Sequence, residues 1–197
     1  MKNKIAKVFI IMGTLLIVVA LFIIGNNILD EYNANKTSIN AINNLTTLIP
    51  EQKKIPDYML NPDMDMPLAT VDGWDYVGII NIKGIDIVLP VIDKWSDKAS
   101  YISPCKFYGS VYKDNMVIAA HNFPSHFGKI AKLDEEDVII FTDMAGNSFS
   151  YRPVVLEIIE PTDVDKMINN DYDLTLFTCT IGGQQRVTVR CERIIEY

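Results

Sequence analysis

The stretch DLTLFTCTIGGQQRVTVRCER, residues 173–193, decides how the chain folds. In an extended chain successive side chains leave opposite faces. Leu174, Leu176 and Thr178 therefore share one face, and Thr175, Phe177 and Cys179 share the other. Beyond the glycines, Val187, Val189 and Cys191 alternate in the same way against Arg186, Thr188 and Arg190. Two such runs joined through Gly182-Gly183 predict an antiparallel hairpin, because a glycine pair accepts the positive φ angles of a two-residue turn. Centring the turn on that pair sets Cys179 opposite Arg186 on one face, with Cβ atoms about 4.5–5.5 Å apart. A guanidinium then lies beside the sulfur, or beside an oxyanion forming next to it.

Three cysteines are too few, and too odd in number, for a disulfide framework. Cys191 alternates with valines and is expected in the core, where free cysteine behaves as a small hydrophobe. Cys105, in SPCKFYG, reads as a loop residue. Cys179 ends a strand beside a charged partner, the setting in which a thiol becomes reactive. From the hairpin alone, a structural cysteine is still the commoner reading.

Working outward, a 197-residue chain with 49% hydrophobic content can hold one full domain and something more. The addition is at the front. Residues 8–24 carry no charge and are about long enough to cross a bilayer as a helix. Lys2, Lys4 and Lys7 precede the run and Asp30 and Glu31 follow it, so the positive-inside tendency puts the N-terminus in the cytoplasm and residues 27–197 outside. A signal peptide shares the basic start and apolar middle, but the following GNNILDEY has no small-x-small cleavage site, which favours a retained single-pass anchor. A buried core helix fits less well, since a uniformly apolar helix has no face for solvent. The net charge of -7 argues against a nucleic-acid partner, which needs a basic footprint.

Tyr32, Ile39, Ile42, Leu45, Leu48 and Ile49 recur at intervals of three to four with one gap, predicting an amphipathic helix that continues outward and stops at Pro50. Pro50, Pro56, Pro62 and Pro67 then mark a linker or a wrap over the domain, unsuited to helix or central strand. The expected organisation is a cytoplasmic stub and anchor over 1–26, a helix and Pro-rich linker over 27–71, and a catalytic domain over 72–197. In that domain, β-rich runs at 76–82, 85–92, 116–121, 137–142, 148–159, 174–178 and 186–195 are separated by turn residues. Several short strands without long helical stretches predict a mainly β sandwich or barrel. Short helical turns are expected at 95–101, 126–133 and 163–168.

The two histidines differ in context. MVIAAHN sets His121 at the end of an apolar strand, on the face of Val117 and Ala119, where rigid scaffolds present chemistry. His126, in SHFGKI, reads as a surface or supporting residue. A cysteine nucleophile in acyl transfer needs a proton donor for the departing amine, and histidine titrates in the right range. An arginine keeps its proton, so its use is to bind the carbonyl and stabilise the oxyanion.

TLFTC, an arginine seven residues on at Arg186, and IAAHN upstream resemble the sortase pattern of a TLxTC strand, a downstream arginine and a histidine ending an earlier strand. The resemblance covers about residues 72–197, with GIINIKGIDIVLPV similar to the paired first strands, KLDEEDVIIFTD to the segment after the histidine, and IIEPTDVDKM to the approach to the catalytic strand. It implies a closed eight-stranded β-barrel with short helices. It also implies a transpeptidase that cuts an LPxTG-like C-terminal sorting signal of secreted proteins, holds the acyl group as a thioester on Cys179, and passes it to an amine of cell-wall precursor or a pilin. Matched residue by residue, Cys179 is the nucleophile, His121 the acid/base and Arg186 the oxyanion group. Arg190 is the rival arginine, and Thr178 and the Thr180 backbone N–H are supports of the substrate site. His-Asn is similar to one branch of the family and KLDEEDVIIFTD to others, so the subclass stays open. The short Cys179-to-Arg186 loop leaves little room for an extended substrate-shaping loop.

A papain-like peptidase has its cysteine before its histidine and at the start of a helix, the reverse of the order here. No cofactor is expected. A zinc site from Cys179, His121 and His126 or Cys191 lacks CxxC or HExxH spacing. Glu135, Glu136, Asp137, Asp163 and Asp165 could gather calcium, but a solvated face is the simpler account. A sortase-fold hydrolase and a non-catalytic membrane-anchored binding module are the alternatives that remain.

Overall fold

The computed structural model describes residues 2–195. The side chains of residues 2–4, including Lys2 and Lys4 of the basic start, and the last two residues of the expected 72–197 domain lie outside the described part.

The β8–β9 hairpin, Leu174–Cys179 and Arg186–Arg193, has the register that the alternation predicts: Leu174 pairs with Cys191, Thr175 with Arg190 and Cys179 with Arg186. Its turn is looser than expected. Thr180 still pairs with Gln185, through an N–H to carbonyl bond of 2.9 Å, and the reversal runs over Thr180–Gly183, with both glycines at positive φ. The tight turn thus moved while the register did not, because the inward apolar side chains fix which face is which.

Around this hairpin the other strands are β1 (Ala69–Val71), β2 (Trp74–Ile82), β3 (Ile87–Ile92), β4 (Cys105–Tyr108), β5 (Met116–Ala119), β6 (Ile139–Asp143) and β7 (Ser148–Ile159). Their order is β1-β2-β3-β4-β5-β8-β9-β7-β6, and β6 pairs back onto β2. Strands β2 to β9 therefore close an eight-stranded barrel, and β1 is appended to the start of β2, on the edge that β6 uses farther along. Closure requires Gly78. A Cβ there would run into the Thr142 carbonyl and the Phe141 ring of β6.

The interior is packed, with Ile80, Val91, Ile118, Phe141, Leu176 and Val189 all buried. Two strands escaped the sequence pattern. β1 and β4 are only three and four residues long, too short for alternation to register. Cys105, expected in a loop, opens β4 and is fully buried.

Helix α1 is one unbroken helix, Lys2–Leu48. It contains the one described helix long and apolar enough to cross a membrane, with a mean hydropathy of 3.0 in its most apolar window. Its outer half packs on the barrel through Ala34, Ser38, Ala41 and Leu45, whereas Tyr32, Ile39 and Leu48 of the expected apolar face are exposed. Small residues at i, i+4 and i+7 (Ala34, Ser38 and Ala41) let the helix lie close to the barrel, and Leu45 of the expected apolar face, at i+11, is buried with Ala41 beside Tyr76, Ile92 and Cys105.

The segment after Pro50 wraps the barrel. It contains a one-turn helix, α2 (Asp57–Leu60), where the prolines had argued against a helix, and the edge strand β1, which they had argued against only as a central strand. Tyr58 stacks on Tyr112 with ring centroids 4.7 Å apart, and Met66 joins the core. Pro56 only caps α2, where a missing N–H costs nothing.

Candidate active site

The outer face of β8 is where chemistry-bearing side chains meet. Leu174 and Leu176 fill the barrel, so period two sends Thr175, Phe177 and Cys179 outward. β8 is flanked by parallel β5, which pairs Val117 with Thr175 and Ala119 with Phe177, and by antiparallel β9. Continuing the β5 register by two residues brings His121 beside Cys179, while β9 supplies Arg186 from the other side. Neighbouring strands lie about 4.8 Å apart, so three consecutive strands deliver the thiol, the imidazole and the guanidinium to one place.

All three line one cavity of about 380 Å³ on the barrel's outer wall. Its apolar side is Phe107, Phe177, Val164 and Met167, with Phe107 and Phe177 edge to face at 5.3 Å. The connection between β7 and β8, with helix α4 (Val164–Ile168), roofs it. Gln185 Nε2 donates to Glu160 Oε1 at 2.6 Å, joining the hairpin loop to that roof.

His121 is half-buried, and burial holds its imidazole below the ordinary histidine value, opposed by the carboxylates of Asp30 and Asp97. Its ring packs against Tyr101 and Phe123, with centroids at 4.4 and 5.0 Å. Ser100 Oγ lies 3.3 Å from His121 Nε2 and donates to the Asp97 carbonyl at 2.9 Å. A hydroxyl committed that way offers its lone pairs to the ring, which favours a proton on Nε2. Ser100 sits on α3 (Asp97–Ser100), whose first turn is capped by Ser96 Oγ accepting from Ala99 N. Sequence reasoning missed Ser100, Tyr101 and the cavity residue Trp95. The Ser96 cap before Asp97 was the available signal for α3, but nothing local says that it packs on His121.

Arg186 turns its guanidinium over its own loop, with Nη1 donating to the carbonyls of Gly183 and Gln185, both at 3.1 Å. Thr178 lines the cavity and donates to the Ala120 carbonyl at 2.8 Å, tying β8 to the residue before His121. Two expected substrate contacts stand elsewhere. The Thr180 N–H is spent on the Gln185 carbonyl, and Thr180 does not line the cavity. Arg190, on the same face as Arg186, is buried. Nε pairs with Glu157 Oε1 at 2.8 Å, Nη2 donates to the Lys166 carbonyl at 2.7 Å and Nη1 to Thr175 Oγ1 at 3.0 Å. It fastens α4 to the wall and has no surface left for a substrate.

His126, expected at the surface or in support, is wholly buried against Phe123, and burial lowers it to about 4. Neither ring nitrogen has a partner among the described residues. Cys191 is buried in the core as its valine neighbours implied, and burial pushes Cys105 up to about 12. Among the described residues no three His, Cys, Asp or Glu side chains are grouped to hold a metal ion. The acids Asp134 and Asp137 instead accept from backbone N–H groups of their own loop.

Together these side chains can hold an extended peptide in an apolar trough, attack a carbonyl with sulfur, protonate an amine and stabilise an oxyanion. Residues 80–194 match a family model described as the sortase domain. The chain is 26% identical over 186 residues to sortase A of Bacillus anthracis, covering 88% of this chain and 87% of that protein. Among solved structures it is similar to sortase C1 of Streptococcus agalactiae, with 24% identity, a TM-score of 0.56 and coverage of 70% of this chain and 76% of that one. Sortase A of Corynebacterium diphtheriae is similar at 19% identity and a TM-score of 0.55, over 85% of each chain.

Proposed function

The chain belongs to the sortase family, and from that premise we propose that it is a membrane-anchored cysteine transpeptidase working through Cys179, His121 and Arg186. The observation that carries this is the convergence of those three side chains, from three adjacent strands, on one cavity. The substrate is a secreted protein with an LPxTG-like C-terminal sorting signal, and the acceptor is an amine of cell-wall precursor or of a pilin.

In the first step the Cys179 thiolate attacks the threonine carbonyl of the signal. The Arg186 guanidinium faces the oxyanion that forms, for which its fixed charge and planar donors are suited. The C–N bond then breaks, and protonated His121 gives its proton to the departing amine. In the second step an acceptor amine attacks the thioester, His121 takes the proton back, and the C–S bond breaks to return the thiolate. The apolar trough holds the peptide, and the anchor keeps the enzyme beside membrane-held partners.

The test incubates the full-length protein in vesicles with a peptide library and an added amine, read by mass spectrometry. A thioester adduct on Cys179, and product joined to the amine, support the reading. An adduct released only to water would make the protein a hydrolase, and no adduct with any peptide would make it a binding module. Either result overturns the transpeptidase.

A further inference from the structure

We propose that the barrel end carrying His121, Cys179 and Arg186 rests on the outer leaflet of the membrane, with Trp95 and Tyr101 at headgroup level. This rests on reading residues 8–24 as a membrane anchor, and it adds an orientation that an anchor alone does not require. A domain on a flexible tether could face any way. Here no tether exists, because α1 runs unbroken from Lys2 to Leu48 and its outer half is itself packed on the barrel.

A helix advances about 1.5 Å per residue, so Asp30 stands about 9 Å beyond Ile24, the last residue of the apolar run, and Leu45 about 31 Å beyond it. The contacts along this rod say which end of the barrel is near the bilayer. Nearest is Asp30, close enough for its carboxylate to act on the His121 imidazole. Next is Ser38, whose Oγ donates to the Ile102 carbonyl at 3.2 Å, beside the Tyr101 that packs on His121. Farthest, Leu45 shares a cluster with Met144, and Pro50 lies so close to Gly146 that a Cβ there would strike its carbonyl. The polar layer on each side of the hydrocarbon is about 5–8 Å thick. The rim of the cavity therefore comes down to it, and the Met144–Gly146 end stands away.

The side chains at that rim suit the boundary. Trp95 lines the cavity and is 46% exposed, whereas the other tryptophan, Trp74, packs against the cluster that holds Leu45 and Met144. Tyr101 is 49% exposed, and Ile181 projects from the β8–β9 loop 99% exposed. Rings with an apolar body and a polar tip collect where lipid meets water. In this orientation the thiol meets a peptide that emerges from the bilayer, and the lipid surface stands along one side of the cavity mouth.

The full-length protein in phosphatidylcholine vesicles tests this, with Trp95 as sole emitter in a Trp74→Phe variant. Lipids spin-labelled at the headgroup should remove most of its emission, and lipids labelled at mid-chain should leave most of it. A Gln52→Trp reporter at the far end, in a chain lacking Trp74 and Trp95, should be quenched by neither. Ile181→Trp in that same background repeats the near-end measurement at a position too exposed to disturb folding. Vesicle flotation is measured on every sample. If the protein floats but the near-end reporters are quenched no more than Gln52→Trp, the orientation is wrong and the anchor stands. If the protein does not float, the anchor reading fails and the orientation fails with it.

Discussion

Two cross-strand pairs on the same face of one hairpin, Cys179 with Arg186 and Thr175 with Arg190, have opposite fates. The first opens into the cavity. The second lies beneath α4, its arginine bound by Glu157, Thr175 and the Lys166 carbonyl. The same contrast separates His121 from His126 and Cys179 from Cys191. Residue type distinguishes the members of none of these pairs, and strand face, which does set Cys191 apart from Cys179, does not separate the two arginines. What does is the cover that tertiary structure lays over one member and withholds from the other.

The sharpest test of that contrast is covalent. In the native protein a thiol probe should label Cys179 alone, with Cys105 and Cys191 reacting only on unfolding. Cys179→Ala should abolish both native labelling and the thioester adduct. Equal native labelling of two cysteines, read by peptide mass mapping, would break the comparison.

The arginines should split by kind of damage. Arg186→Ala is expected to lower kcat about 10²–10³-fold, the usual cost of losing an oxyanion donor, with the urea midpoint unchanged. Arg190→Ala should instead lose about 3 kcal/mol of stability, because it strips partners from buried carbonyls and from Glu157. Glu157 is 40% exposed on its side chain, which keeps that loss below the cost of a fully buried pair.

The histidines should split by pH. Burial lowers His126 to about 4, against 6.5 for an exposed ring. Between those values the unfolded chain binds a proton that the folded chain refuses, so stability falls as pH drops from about 6.5 to 4, by about 3 kcal/mol, and levels off below. His126→Phe should flatten that window in urea titrations without removing activity at neutral pH. His121 is also lowered by burial, so the acid limb of kcat/KM should lie below the ordinary histidine value.

The smallest effects concern α1. Ala41→Leu, on the buried face, should cost about 1–3 kcal/mol by overpacking, whereas Ile39→Ala on the exposed face should stay within about 0.5 kcal/mol. Thermal unfolding of the two variants decides whether the small-residue face is the packed one.

Much of the site was legible because strand geometry is local. Period two placed Cys179 and Arg186 on one face, and the alternating valines pin a register that holds although the turn is looser than a two-residue one. Thr178 also lines the cavity, although period two sets it on the opposite face from Cys179, so alternation does not account for its place there. Thr180 does not line it, because the looser turn spends its N–H on Gln185. His121 was found from its place at a strand end, but its neighbour Ser100 comes from a helix twenty-one residues earlier that no periodicity ties to it.

The sequence by itself determined the alternating strands, the apolar run at the front and the order of histidine, cysteine and arginine, since each depends on neighbours within a few residues and on the backbone's own period. Only the tertiary structure decided that β6 closes on β2, that α1 packs by its small face, and that α4 seals Arg190 while Arg186 stays open. Those outcomes depend on which distant surfaces fit together, and shape complementarity between segments far apart in the chain leaves no period in either one.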